Sequence, residues 1–220
     1  LVNNKPYFSR ALDPDLTTMV NSEFRVATSH SGLFPWFSLS ANDHPWLSVL
    51  FDEPNVEIDP ETLRRAMVYF FSNYHFPVNP YAQKTTAFGS KETAGAKLFA
   101  ERCEGCHQSR LAANDPASRV SKQDWEHYVL ELQGPIVWGS DQYERTGIEP
   151  YVHEKGARVP SLRRLHQKYP YFTNGTATSL NEVLSRFRWD GQTGSHFSTA
   201  PTQTFTPEER ASLIAFLRLL

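Results

Sequence analysis

At 220 residues and 40% hydrophobic content, the chain is long enough for one large domain or two small ones with a buried core. Its 22 basic and 24 acidic residues leave a net charge of −2, which excludes the basic footprint of a nucleic-acid binder and any tail of like charge. No apolar run approaches the roughly 18 residues of a membrane span, and Leu1 does not open a signal peptide, so a mature or trimmed product is expected.

Residues 1–89 are dense in prolines and aromatics, among them Phe34, Pro35, Trp36, Phe37, Pro45, Trp46, Pro54, Pro77 and Pro80, which predicts loops around few helices. One helix is predicted over 60–74. Asp59 can cap it, Pro60 suits its first position, and Leu63, Met67, Phe70 or Phe71, and Tyr74 recur at helical spacing. A proline-bracketed connector, Phe76 to Pro80, follows. The chain divides near Ser90 into a loop-rich N-terminal region, 1–89, suited to covering or docking, and a helical domain, 90–220.

From Ser90 the pattern becomes regular. Ser90 is expected to cap a helix running to about Arg102, with Ala94, Leu98 and Phe99 as its apolar face. This helix leads into Cys103-Glu104-Gly105-Cys106-His107, which uses both cysteines of the chain and sets a histidine directly after the second. That is the C-x-x-C-H pattern of c-type haem attachment. Two thiols three residues apart on a short helical turn reach the two vinyl groups of one haem, and the adjacent imidazole becomes the proximal iron ligand. A thioredoxin-like C-x-x-C would want a βαβ context and a structural zinc site a second ligand pair; the sequence shows neither. One covalent haem c held by Cys103, Cys106 and His107 is therefore expected. Because such attachment takes place outside the cytoplasm, a periplasmic or otherwise exported protein is expected too.

Trp125, Tyr128, Val129 and Leu132 predict a helix at about 122–133, followed by a loop from Gly134. Ser179 with Glu182 reads as a capping box for a helix over 180–187. Thr206, Pro207 and Glu209 give the same signature for a last helix ending at Leu220, with Leu213, Phe216, Leu217 and Leu220 as its buried stripe. No alternating strand pattern or internal repeat is evident, so the expected fold class is mostly α.

From about Val78 onward the order of these motifs resembles the haem domains of the bacterial di-haem cytochrome c peroxidase superfamily, which includes the methylamine-utilisation di-haem enzymes and the rubber oxygenases. The resemblance rests on Asn79-Pro80-Tyr81, on Ala94 to Phe99 with Cys103 to His107, and on Val159-Pro160-Ser161-Leu162-Arg163 with Tyr169 to Gly175. Ser179 to Leu184 and Phe205 to Leu220 resemble the closing helices. It implies a cytochrome c-like helical haem domain with a loop-rich N-terminal extension. Three departures matter. The family pairs two haem domains, whereas this chain has one attachment motif. Its P-Y-x-H-x-G histidine is here Thr173. Fourteen residues further on, where relatives carry a Met or Tyr iron ligand, stands Phe187, which cannot bind iron.

Met19 and Met67 both precede the haem motif, which disfavours a His/Met cytochrome. The rubber-oxygenase branch has a G-H-x-[FY] segment before its last helix, and Gly194-Ser195-His196-Phe197 resembles it, making His196 the first choice for the sixth ligand. An exposed loop histidine is the competing reading. His166 could reach the haem edge or sit at the surface on a short helix, and His30 and His44 could cover the open face or be hydrogen-bonded structural histidines; His75, His127 and His153 lack supporting context. The resemblance places Arg163, or its neighbour Arg164, against haem propionates, which need paired donors. Trp125, Trp138 and Trp189 suit either the haem pocket or the core.

Histidine on both faces implies a low-spin electron carrier working with a redox partner protein or a second haem domain. The alternative is an enzyme with an open iron position that reduces peroxide or activates oxygen, for which Glu104, His30 and His44 are loosely placed polar candidates. A third reading makes 1–89 a docking arm. No catalytic residue is assigned, and the small-molecule substrate is unknown.

Overall fold

A computed structural model describes residues 15–20, 39–75, 77–82, 87–107, 120–129, 159–172 and 175–220. The chain divides into two compact units, Leu1–His75 and Phe76–Leu220.

In the first unit a helical turn over 16–20 buries Leu16, Met19 and Val20 against Leu63, Met67, Val68 and Phe71. The hairpin β1 (Leu39–Ser40) and β2 (Glu57–Ile58) pairs Leu39 with Ile58, and a short helix, α1 (Trp46–Phe51), lies between the two strands in sequence. Helix α2 (Pro60–Asn73) begins as its sequence predicts: Asp59 Oδ1 accepts the backbone N–H groups of Glu61 and Thr62, and Pro60 occupies the first turn. Its buried stripe differs from expectation. Phe70 and Tyr74 stay 53% and 41% exposed; of the two phenylalanines it is Phe71 that packs inward, together with Leu63, Met67 and Val68.

The second unit is built from α3 (Ser90–Arg102), α4 (Glu104–His107), α5 (Lys122–Tyr128), α6 (Leu180–Ser185) and α7 (Pro207–Leu217). A 3-10 turn spans Leu165–Gln167, and a small hairpin pairs β3 (Arg188–Trp189) with β4 (Gly194–Ser195). These strands are two residues long, too short for alternation to register in the sequence. The mostly α class holds. Phe99 of α3, Trp125 of α5, Phe205, and Leu213 and Phe216 of α7 are all at most 2% exposed and form the centre of the core.

Helices α3 and α7 cross at a glycine. A Cβ on Gly95 would collide with the Ser212 carbonyl group and lie 2.9 Å from Phe216 Cβ. The buried face of α3 is therefore Gly95, Ala96 and Phe99, and the expected Ala94 is exposed. Ser90 is the first helical residue, with Gly89 at the cap and no side-chain cap bond. Helix α5 is capped by Ser121; its expected extension to 133, with Leu132, and Trp138 lie outside the described residues.

Two caps were expected to be reciprocal and one is. Thr206 Oγ1 accepts the Glu209 N–H while Glu209 Oε2 accepts the Thr206 N–H. Ser179 does cap α6, but the Glu182 carboxylate reaches Thr178 instead, taking its N–H and its hydroxyl. Asn79 ties the connector to this unit. Its Nδ2 donates to the Arg218 carbonyl at 2.8 Å and its Oδ1 accepts from Tyr81 N at 2.9 Å. No helix among the described residues is long and apolar enough to cross a membrane.

Candidate functional site

The C-x-x-C-H residues follow from the end of α3. Cys103 closes that helix with its N–H on the Phe99 carbonyl, and its own carbonyl accepts the N–H groups of Cys106 at 3.1 Å and His107 at 2.9 Å. One turn of helix thus carries both sulfurs and the imidazole. No disulfide joins the two cysteines: Cys103 packs against the core while Cys106 is exposed. Burial, helped by Cys106 and Glu104 and opposed by Arg102, pushes the Cys103 thiol up to about 12, so it stays protonated at neutral pH.

His107 Nδ1 lies 3.0 Å from the Pro160 carbonyl oxygen. A carbonyl only accepts, so Nδ1 carries the proton and Nε2 keeps its lone pair for a metal. Burial is the largest effect on this imidazole and holds it below the ordinary histidine value, with Lys168 adding to it and the Pro160 bond opposing.

His196 repeats the arrangement from the other side of the chain. It follows β4, and its Nδ1 donates to the Val183 carbonyl of α6 at 3.1 Å. Phe187 and Phe172 flank the ring with centroids at 5.3 and 5.7 Å. Burial, then the nearby His107, lowers His196 to about 4, so its imidazole is neutral at pH 7. Gly194 makes the approach possible, since a Cβ there would overlap the Phe187 ring. Phe187 is buried, stacked on Phe205 at 4.8 Å and 11°, and forms one wall around His196.

The rings of His107 and His196 have their centroids 6.4 Å apart, with planes at 68°. Two metal–nitrogen bonds of about 2 Å on opposite sides of one iron place the centres of their imidazoles roughly 6 Å apart. The centroid spacing of the pair is close to that value. Each ring is oriented by a main-chain carbonyl, a partner that sequence motifs do not reveal, although Pro160 stands in a stretch the motif order had singled out.

The other predicted residues are placed as follows. Arg163 and Arg164 are buried in the turn after Pro160, at 9% and 8% exposure. Arg164 has φ +56° and gives its N–H to the Leu220 carbonyl. His166 is half-buried and lines a different cavity, of about 280 Å³, with Tyr81, Tyr171, Asn181 and Arg218 among its walls. His44 is in the first unit, its ring 6.3 Å from Trp46, and His75 and His127 are exposed. Trp125 is a core residue at 0% exposure, and Trp189 is half-buried in β3. Glu104 is half-buried on α4, beside the cysteines in sequence. His30, His153 and Thr173 lie outside the described residues. Among the described residues no group of three or more His, Cys, Asp or Glu side chains gathers as a metal cluster.

A helical unit that carries the C-x-x-C-H motif at the end of a packed helix has the make-up of a haem-binding redox protein. The cytochrome c family model matches residues 92–220, more than half of the chain, and the chain belongs to the cytochrome c family, whose members carry haem c. It is also similar to the cytochrome-c peroxidase IdrP1 of Pseudomonas sp. (strain SCT), at 27% identity over 170 residues, covering 66% of this chain and 44% of that protein. The chain thus spans less than half the length of this curated relative. The likeness read from the motif order extends to a named cytochrome-c peroxidase, whereas these matches do not reach the methylamine-utilisation or rubber-oxygenase branches. No solved structure matches.

Proposed function

We propose that this unit is an electron-transfer domain carrying one covalent haem c, with His107 and His196 as its two axial ligands. The observation that carries the reading is the 6.4 Å spacing of two neutral imidazoles, each with its Nδ1 proton committed to a backbone carbonyl. Haem, when bound, supplies a one-electron couple between ferric and ferrous iron. Cys103 and Cys106 would hold it through thioethers, and Arg163 would present its buried guanidinium to a propionate. Phe187 and Phe172 exclude water from the His196 side and keep that imidazole in place. The domain would then exchange electrons with a redox partner protein or a second haem domain, outside the cytoplasm.

Absorption spectra of the haem-loaded protein test this. Low-spin bands in both oxidation states, unaltered by carbon monoxide after reduction, are expected. A carbon monoxide complex formed readily on reduction would overturn it.

The relative's name favours a second reading, in which the domain takes part in peroxide reduction. Peroxide-dependent oxidation of a reductant by the isolated haem-loaded chain would support that role. The absence of turnover leaves electron transfer as its function.

A further inference from the structure

Helix α1 in the first unit turns most of its apolar residues to solvent. Of its six residues only Leu47 is buried, at 1% exposure, and Ser48 is half-buried. Trp46, Val49, Leu50 and Phe51 stay 54%, 84%, 67% and 52% exposed. Trp46, Val49 and Leu50 stand three and four residues apart, so they share one side of the helix. A helix that is apolar nearly all round belongs in a core or against a partner, and a gathered apolar surface marks a contact site.

The charge around this helix has one sign. Asp43 lies three residues before Trp46, Asp52 and Glu53 follow Phe51 directly, and all three are exposed. Glu57, also exposed, stands on β2 opposite Ser40. Among the described residues none of these four carboxylates forms an ion pair. The stretch 26–63 holds two further acids, Asp59 and Glu61, and no lysine or arginine. Asp59 caps α2, and Glu61 holds Arg64 and Arg65, the two cations next along the chain.

The excess survives a count over the whole unit. Residues 1–75 contain five basic residues, Lys5, Arg10, Arg25, Arg64 and Arg65, against nine acidic ones, a net charge of −4. No placement of Lys5, Arg10 and Arg25 removes that surplus from the unit. A second copy docking through the same helix would bring the same carboxylates, and an anionic bilayer would repel them. A cationic amphipathic helix supplies what both would lack: an apolar stripe for Trp46, Val49 and Leu50, and flanking cations for Asp43, Asp52 and Glu53.

We propose that the exposed side of α1 docks a protein whose contact element is an amphipathic helix flanked by lysine or arginine. This surface belongs to the first unit and is independent of how the iron is held.

The test is calorimetric titration of the haem-loaded full chain with two matched peptides of about 18 residues, one with leucines along one helical side and lysines elsewhere, the other with glutamates in place of the lysines. The lysine peptide is expected to saturate at one per chain and to weaken at least about tenfold between ionic strengths of about 0.02 and 0.3 M. The glutamate peptide should bind at least about tenfold more weakly. Val49→Ser/Leu50→Ser is expected to lose at least about tenfold for the lysine peptide, and Asp52→Asn/Glu53→Gln at least about threefold. Should the serine variant not fold, the carboxylate variant and the peptide pair decide. No saturable binding, equal affinity for the two peptides, or full affinity in the serine variant overturns the proposal. So does a dimer in sedimentation, or uptake by phosphatidylcholine vesicles, that the serine variant abolishes, since either gives this face to another occupant.

Discussion

Haem-loaded protein carrying His196→Ala is expected to bind carbon monoxide on reduction, with an affinity at least about a hundredfold above that of the parent, equivalent to about 2.8 kcal/mol. The reasoning is local. His196 is the described imidazole whose ring sits at ligand distance from His107, and its neighbours Phe187 and Phe172 have no group that can coordinate iron in its place. Removing the side chain vacates a position with aromatic walls, and a small diatomic molecule fits where the imidazole was. The oxidised spectrum should shift toward high spin. His196→Met gives the matching control: it restores a ligand, abolishes carbon monoxide binding and raises the reduction potential, since thioether ligation favours ferrous iron. An alanine variant with the parent's spectrum and no carbon monoxide complex would remove His196 from the iron.

Gly95→Val should destabilise the helical unit by about 3 kcal/mol, read as a lower urea midpoint at unchanged slope. Even Gly95→Ala, which gains about 1 kcal/mol of helix propensity, is expected to be net destabilising. The opposing effect is larger because the new Cβ meets backbone. Ser212's carbonyl carbon would be 2.6 Å away, and neither it nor the Phe216 Cβ at 2.9 Å can swing aside as a flexible side-chain tip would. Relief requires moving α7 off α3, which separates Phe99 from Phe216, rings now 5.2 Å apart, and loosens the contacts of Trp125. Since α3 ends in Cys103, the same displacement would move the haem attachment turn. Stability unchanged in Gly95→Val would contradict this account of the crossing.

What the sequence made legible is what depends on neighbours along the chain. Asp59, Thr206 and Glu209 act on backbone groups two or three residues away, so their caps could be read directly, and Cys103, Cys106 and His107 lie within a single helical turn. What escaped depends on parts of the chain far apart. The crossing of α7 over Gly95 has no local signal, and it moves the buried face off Ala94. Phe187 was readable as a lost ligand, but its role as a wall for His196 needed the hairpin that carries the histidine back past α6. The carbonyls of Pro160 and Val183 carry no side-chain signal at all, yet they fix which nitrogen of each histidine is available. The two-residue strands were too short to show a period, and Phe70 and Tyr74 fitted a helical spacing whose inward direction only Leu16, Met19 and Val20 define.

On an iron bound by both imidazoles, the crossing of their planes at 68° would have a magnetic consequence. Parallel rings donate into the same iron d orbital of π symmetry and split it from its partner, whereas rings near a right angle donate into both and leave them almost degenerate. Ferric iron held this way keeps much of its orbital angular momentum. Its electron paramagnetic resonance at cryogenic temperature would be a single strongly anisotropic low-field feature, not the well-separated rhombic triplet of coplanar ligands.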